Sequence, residues 1–220
     1  MTNVILCPLC QGQSALFGAE DSKYYKCCCC LAVFLHPSAR LSIDDEKRRY
    51  LLHNNDVDDI AYQNFVSPVV MEVEKKFIPG RHQGLDFGCG TGPVIAKLLG
   101  EKGYKIELYD PIFCNHPEKL QRTYDFIVCC EVMEHFYYPY REFALLRSLL
   151  KPGGSLICMT HIYSEEVDFK SWYYKNDPTH VIFYHCRTLE WIQTACGFSF
   201  MELAGRLITF SASEGFAESW

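Results

Sequence analysis

Three groups of residues carry chemistry in this chain. The first is a set of cysteines, Cys7-Pro-Leu-Cys10 and Cys27-Cys-Cys-Cys30. Two C-x2-C turns with 16 residues between them are spaced to offer four thiolates to one tetrahedral zinc ion. Cys7, Cys10, Cys27 and Cys30 are the candidate ligands, which leaves Cys28 and Cys29 outside the set. Four thiolates leave no open coordination position, so the zinc would be structural; an iron–sulfur centre is the alternative. The second group is the glycine run Leu85-Asp-Phe-Gly-Cys-Gly-Thr-Gly92. Gly88, Gly90 and Gly92 permit positive φ and close backbone approach to a ligand. Their spacing is G-x-G-x-G, not the G-x-G-x-x-G of dinucleotide folds. Asp86 directly before the loop would repel a pyrophosphate and attract an ammonium group. Asp110, after Tyr109, is placed to accept hydrogen bonds from ribose hydroxyls. The third group is Glu131-Val-Met-Glu-His135, two carboxylates and an imidazole within five residues.

The elements that must position these groups follow from the hydrophobic pattern. Residues 1–40 hold the cysteine turns and two short apolar stretches. Residues 41–62 are charged and polar, which predicts a solvated helix or linker. Pro68 to Phe77 reads as a helix with Pro in its first turn and Ser67 as N-cap. From Gly84 a β/α alternation begins: strand Gly84–Phe87, helix Pro93–Leu99, strand Lys105–Tyr109, strand Phe126–Cys130, helix Pro139–Leu150, a turn at Lys151-Pro-Gly-Gly154, strand Ser155–Thr160, helix Thr188–Cys196, and a terminal hairpin of Phe198–Leu203 with Leu207–Ser211. Such alternation implies an α/β fold, a mainly parallel sheet with helices on both faces. The chain divides into 1–40, a ribbon-like domain; 41–80, a helical linker; and 81–220, the sheet domain.

Composition narrows the class. The chain has 220 residues, 49% of them hydrophobic, enough for a sizeable core without covalent staples. No window approaches the ~20 apolar residues of a membrane span, and the first residues lack a secretory pattern. The expectation is a cytoplasmic protein. The net charge of −6 disfavours nonspecific nucleic-acid binding. Of 13 cysteines, Cys129, Cys130 and Cys158 lie in candidate strands, where they read as small buried hydrophobes.

The glycine loop and Asp110 together resemble motif I and the following acidic motif of class I S-adenosylmethionine-dependent methyltransferases. Tyr124-Asp-Phe-Ile-Val-Cys-Cys-Glu131 looks like that family's fourth strand, and Leu150-Lys-Pro-Gly-Gly-Ser-Leu156 like its turn into the fifth. The resemblance runs from about residue 84 to 213. It implies a Rossmann-like sheet and a cofactor site at Asp86, Phe87, Gly88, Gly90, Gly92, Asp110, Cys130 and Glu131. One departure stands out. Only 14 residues separate Asp110 from Asp125, too few for the usual helix and third strand. That strand is expected to be missing, and with it the adenine contact often drawn from the region. The stretch from Tyr24 to Pro37 also resembles zinc ribbons that precede methyltransferase domains in some bacterial enzymes.

Glu131 is expected to open a helix, on which i, i+3 and i+4 share a face, so Glu131, Glu134 and His135 would project together. The segment resembles small-RNA 2′-O-methyltransferases and ubiquinone-pathway O-methyltransferases, which use this motif with a metal. In the RNA enzymes a further histidine completes the site, and Asp177-Pro-Thr-His-Val-Ile-Phe183 makes His180 its counterpart. Many relatives carry Glu-His here without metal, so His135 is a metal ligand, a general base or a helix-start residue. His135, Glu134 and His180 are the catalytic candidates. His161 and His185 read as surface or packing residues. The aromatic segment His161–Tyr184 reads either as a lid over the acceptor or as a loop with its own small core. The expected function is methyl transfer to a small molecule. The alternatives are an RNA-directed enzyme and a noncatalytic cofactor-binding module, and the ribbon offers a surface for a protein partner.

Overall fold

A computed structural model of the chain describes residues 5–18, 22–52 and 56–215. The chain opens with four short strands, β1 (Ile5–Leu6), β2 (Gln13–Phe17), β3 (Tyr24–Cys27) and β4 (Val33–Leu35), paired antiparallel in sequence order. Two helices follow, α1 (Ile43–Tyr50) and α2 (Ile60–Lys76). The alternating part comprises β5 (Gln83–Phe87), α3 (Val94–Glu101), β6 (Lys105–Tyr109), β7 (Tyr124–Cys130), α4 (Pro139–Ser148), β8 (Leu150–Met159), β9 (Ile182–Phe183), α5 (Cys186–Ala195), β10 (Phe200–Ala204) and β11 (Leu207–Ser211). Among the described residues, no helix is long and apolar enough to cross a membrane.

Six strands form the main sheet, in the order β10-β11-β8-β7-β5-β6. β5 runs parallel to both β6 and β7, and β7 parallel to β8. β11 pairs antiparallel with β8 and with β10, which is the expected terminal hairpin. Among the described residues no strand lies between β6 and β7, as the short passage after Asp110 predicts. β6 is the sheet edge, and a 3-10 turn at Pro117–Gln121 leads back to β7. Chain order reverses across β5, so a crevice opens beyond the carboxyl ends of β5, β6 and β7.

The cysteine-bearing hairpins are joined to this layer in two ways. β4 pairs with β9, so the small sheet is completed by a strand from far down the chain. Cys7, Leu9, Ala32 and Phe34 share one apolar cluster with Leu85, Ile127, Phe143, Tyr184 and Phe210.

Several local expectations are corrected. α2 begins at Ile60, with Asp59 Oδ1 accepting the Ala61 N–H at 2.8 Å, so neither Ser67 nor Pro68 starts it. Pro68 is tolerated inside because the Asn64 carbonyl, which loses its helical donor, accepts the Ser67 hydroxyl at 2.8 Å. Lys151–Gly154 is not a free turn but the first part of β8, with a register irregularity opposite Tyr124 and Phe126. A Cβ on Gly154 would lie 2.8 Å from the Asp125 carbonyl, so glycine allows that approach. α4 ends at Ser148, before Leu150. Glu131 does not open an α-helix. It sits at φ +52, and Met133–His135 forms a single 3-10 turn, pinned by the Tyr184 hydroxyl donating to the Met133 carbonyl at 2.7 Å.

Candidate active site

The crevice is a cavity of about 680 Å³. One half is built from the ends of β5 and β6. After Phe87 the chain turns through Gly88 at φ +80 and Gly90 at φ +61. A Cβ on Gly88 would come within 2.5 Å of a Val132 methyl, so the loop lies against the next strand end with no room for a side chain. Asp110 fastens this loop. Its Oδ2 accepts the Gly90 N–H at 3.1 Å, and its Oδ1 accepts those of Ile112 at 2.8 Å and Phe113 at 2.9 Å. A carboxylate offers about four acceptor positions, so one side of Asp110 is left for a hydroxyl. Asp86 is buried behind the loop, and burial pushes its carboxyl up to about 7 against the opposing Ala96 N–H. Of the expected cofactor residues, Phe87, Gly88, Gly90, Asp110, Cys130 and Glu131 line the cavity, whereas Asp86 and Gly92 do not.

The other half gathers Glu134, His135 and His180, whose donor atoms all lie within 4.8 Å of one another. Each histidine is oriented from behind. His135 Nδ1–H donates to the Thr179 carbonyl at 2.9 Å, and His180 Nδ1–H to the Tyr174 carbonyl at 2.6 Å. A carbonyl only accepts, so each ring carries a proton on Nδ1 and, when neutral, offers Nε2 as its acceptor. That is the arrangement of metal-ligating or proton-accepting histidines. Burial lowers the His180 pKa, which favours the neutral ring, while Glu134 opposes the shift. His180 Nε2 lies 3.9 Å from Glu134 Oε1.

Glu134 is fully buried. Its Oε2 accepts the Thr160 hydroxyl at 3.1 Å, and its Oε1 accepts the Tyr174 hydroxyl. The same Tyr174 oxygen is 3.1 Å from Glu131 Oε2. Glu131 stands outside the group of three. Its Oε1 is buried without a hydrogen bond, 3.8 Å from Arg206. Burial, with the Glu134 charge adding to it, pushes the Glu131 carboxyl up to about 8.

Sequence reasoning missed Tyr174 as a partner of both carboxylates, and it missed the wall formed by α1. Glu46 and Tyr50 of that helix line the cavity. Glu46 accepts the hydroxyls of Tyr50 at 2.9 Å and Tyr137 at 3.3 Å. The mixed charge of residues 41–62 gave no signal for this. A tyrosine four residues after a glutamate was the only local trace. Asp177 is held by Arg49 at 3.0 Å and by the Thr179 N–H. His161 and His185 behave as expected: His161 Nε2 accepts from Arg206 at 3.1 Å, and His185 caps α5. The aromatic segment forms a small core of its own, in which Tyr163, Phe169, Tyr174 and Phe183 pack on Phe17 and Tyr24 of the cysteine-bearing hairpins.

The four cysteines converge. Cys7 Sγ lies 3.7 Å from Cys30 Sγ, and Cys10 Sγ 3.4 Å from Cys27 Sγ, with all four within 4.8 Å. Gly12 N–H and Cys29 N–H donate to Cys10 and Cys27 sulfurs. Gln11 and Leu31, each directly after a C-x2-C turn, both adopt φ near +60° (60 and 62). The hydrogen bond from Cys30 brings the Cys7 thiol down to about 6, against its burial. Cys28 and Cys29 are exposed and stand outside the group of four.

No curated protein matches the sequence. In fold, the chain is similar to an O-methyltransferase family protein from Burkholderia thailandensis, with a TM-score of 0.55 at 15% identity, covering 77% of this chain and 63% of that one. It is also similar to human N-acetylserotonin methyltransferase in complex with S-adenosylmethionine, with a TM-score of 0.51 at 12% identity, covering 70% of this chain and 54% of that one. The chain thus spans less than two thirds of either protein. Residues 58–203 match the methyltransferase domain family. That match covers more than half the chain, and the glycine loop, the acidic strand end and the parallel strands β5 to β8 lie inside it. The chain therefore belongs to the methyltransferase domain family, with the fold of the class I S-adenosylmethionine-dependent methyltransferases.

Proposed function

We propose that the protein transfers the methyl group of S-adenosylmethionine to an oxygen, nitrogen or activated carbon of a small-molecule acceptor. One observation carries this reading: the glycine loop faces the same cavity as His135 and His180, with Glu134 buried within reach of both histidines. The loop fits the cofactor, since it lines the cavity with backbone at positive φ and has an aspartate at the ribose side. S-adenosylmethionine supplies a methyl already activated by its sulfonium charge. The loop holds the methionyl part, Asp86 complements its ammonium from behind, and Asp110 holds the ribose. Alignment of the acceptor and exclusion of water then supply much of the rate.

His135 takes the acceptor proton on Nε2, or the acceptor is oriented by a divalent cation on Glu134, His135 and His180 with Glu131 nearby. The donor set fits such a cation: two imidazole Nε2 atoms, a buried carboxylate, and Glu131 Oε1, which makes no hydrogen bond. Bound there, a cation would supply Lewis-acid polarisation and lower the acceptor pKa. At the hairpins, zinc–sulfur bonds of about 2.3 Å put sulfurs about 3.8 Å apart in a tetrahedron. The cysteine distances suit this, so Cys7, Cys10, Cys27 and Cys30 would hold a structural zinc.

The metal-type constellation also supports a reading as an RNA 2′-O-methyltransferase-like enzyme. The cavity favours a small molecule instead. Its described lining includes Glu46, Asp110, Glu131, Glu142 and Asp177 and no lysine or arginine, whereas nucleic-acid phosphates call for cations. The test is transfer of labelled methyl from the cofactor to a panel of small hydroxyl and amine acceptors, set against a short RNA at rising salt. Transfer to RNA alone would overturn the small-molecule reading. No transfer and no slow hydrolysis of the cofactor would leave a noncatalytic binding module.

A further inference from the structure

Among the described residues no strand lies between β6 and β7, where an adenine contact is usually drawn, and the cavity wall beside Asp110 is the surface left for one. Tyr109, Ile112 and Phe113 form it on the β6 side, and Phe136, Glu142 and Leu145 on the α4 side. Phe87 stacks on Tyr109 at 5.4 Å and meets Phe136 edge-on at 6.3 Å. The wall is therefore apolar and aromatic, with one exception.

That exception is Glu142. Every other carboxylate lining the cavity has a partner: Glu46 two tyrosine hydroxyls, Asp110 three backbone N–H groups, Glu131 the Tyr174 hydroxyl, and Asp177 Arg49 with Thr179. Among the described residues, the Glu142 side chain makes no hydrogen bond and no ion pair. It is half-buried, and burial alone raises its pKa. Burial raises the Tyr109 pKa, and the charges of Glu142 and Asp110 add to it. A carboxylate turned toward an aromatic slot is costly unless a ligand brings a hydrogen-bond donor. A slot of this kind suits a flat heteroaromatic ring with an exocyclic amino group on its edge.

We infer that Glu142 accepts a hydrogen bond from the adenine amino group of the cofactor, so that α4 serves the base in place of a third strand. The inference rests on the S-adenosylmethionine reading above. It makes Glu142 a specificity-determining residue for the base, distinct from Asp110 at the ribose.

The test is calorimetric binding of S-adenosylhomocysteine and of its 6-deamino purine analogue, in which hydrogen replaces the amino group. Wild type should bind the amino compound about 10- to 100-fold more tightly, the range for a hydrogen bond to a charged group. Glu142→Met, similar in length and helix preference, should bring that ratio to within about threefold while binding the deamino compound as wild type does. Glu142→Gln, which keeps an acceptor oxygen without the charge, should fall between. An unchanged ratio in Glu142→Met would overturn the inference. Equal weakening of both compounds would make Glu142 a packing residue, and a raised KM for acceptor with both affinities unchanged would assign it to the acceptor instead. Either result overturns the inference. Failure of wild type to bind either compound would remove the cofactor reading itself, and this inference with it.

Discussion

The cofactor half of the cavity is held together by neighbours, the acceptor half by strangers. Gly88, Gly90 and Asp110 sit at the ends of adjacent parallel strands, joined by backbone hydrogen bonds to one carboxylate. Glu134, by contrast, depends on Thr160, Tyr174 and His180, which come from three later stretches of chain. Those stretches are braced in turn by the cysteine-bearing hairpins. Tyr24 donates to the Lys175 carbonyl at 3.3 Å, Phe169 packs against Phe17 and Tyr24, and β4 pairs with β9 just after His180. A short-range site tolerates distant damage. A site assembled from long-range contacts inherits the stability of everything that braces it.

Substitutions can break this contrast if it is wrong. The largest effect is expected at the acceptor half. His135→Ala should lower turnover about 10²- to 10⁴-fold, the usual worth of a positioned acid–base group. S-adenosylhomocysteine affinity should stay within about threefold, because His135 is held by the Thr179 carbonyl and packs on the Tyr50 and His180 rings. Unchanged turnover would remove His135 from the mechanism. Next comes Asp110→Ala, the mirror experiment. It releases three backbone N–H groups that fasten the loop, so cofactor affinity should drop about 10- to 100-fold. Divalent-cation binding, read by calorimetry, should not move.

Third is Cys10→Ser, or removal of zinc by a chelator. The hairpins brace Tyr174 and His180, so turnover should fall about tenfold, with a loss of several degrees in Tm. Cofactor affinity should again stay within about threefold. A loss of cofactor binding as large as the loss of turnover would show that the two halves are not separately supported.

The smallest effect concerns pH. Burial raises both Asp86, to about 7, and Glu131, to about 8, above their ordinary values near 4. A carboxyl whose folded pKa is raised contributes stability below its unfolded pKa and loses it as pH rises through the folded one. The protein without cofactor or cation should therefore lose Tm steadily between pH 5 and 8.5, by at least about 5 °C. Glu131→Gln should remove part of that slope, and a flat profile in wild type would argue against a raised Glu131.

The same contrast explains what the sequence made legible. The glycine loop and the Lys105–Tyr109 strand were readable because their pattern is local and so is their structure. The missing third strand was readable by counting, since 14 residues cannot hold a helix and a strand. The convergence of Glu134, His135 and His180 was anticipated for a partly mistaken reason. No α-helix presents them; Glu131 turns at φ +52, and His180 arrives from across the cavity. The start of α2 was misread because Pro68 looked like a first-turn residue, whereas Ser67 supplies the donor that Pro68 lacks. The pairing of β4 with β9 involves a strand of two residues, too short for any periodicity to announce it. α1 was read as solvated because most of its residues are charged, yet Glu46 and Tyr50 line the cavity.

Titration of Mn²⁺ into the zinc-loaded, S-adenosylhomocysteine-bound protein tests most directly whether the acceptor half is a cation site set against a separate cofactor half. One further cation per chain is expected in wild type. His180→Ala should weaken that cation at least about tenfold, with S-adenosylhomocysteine still bound as in wild type. No cation beyond the zinc would remove the cation reading and leave His135 as the base, and equal binding by His180→Ala, or loss of S-adenosylhomocysteine with the cation, would contradict the division of the cavity into these two halves.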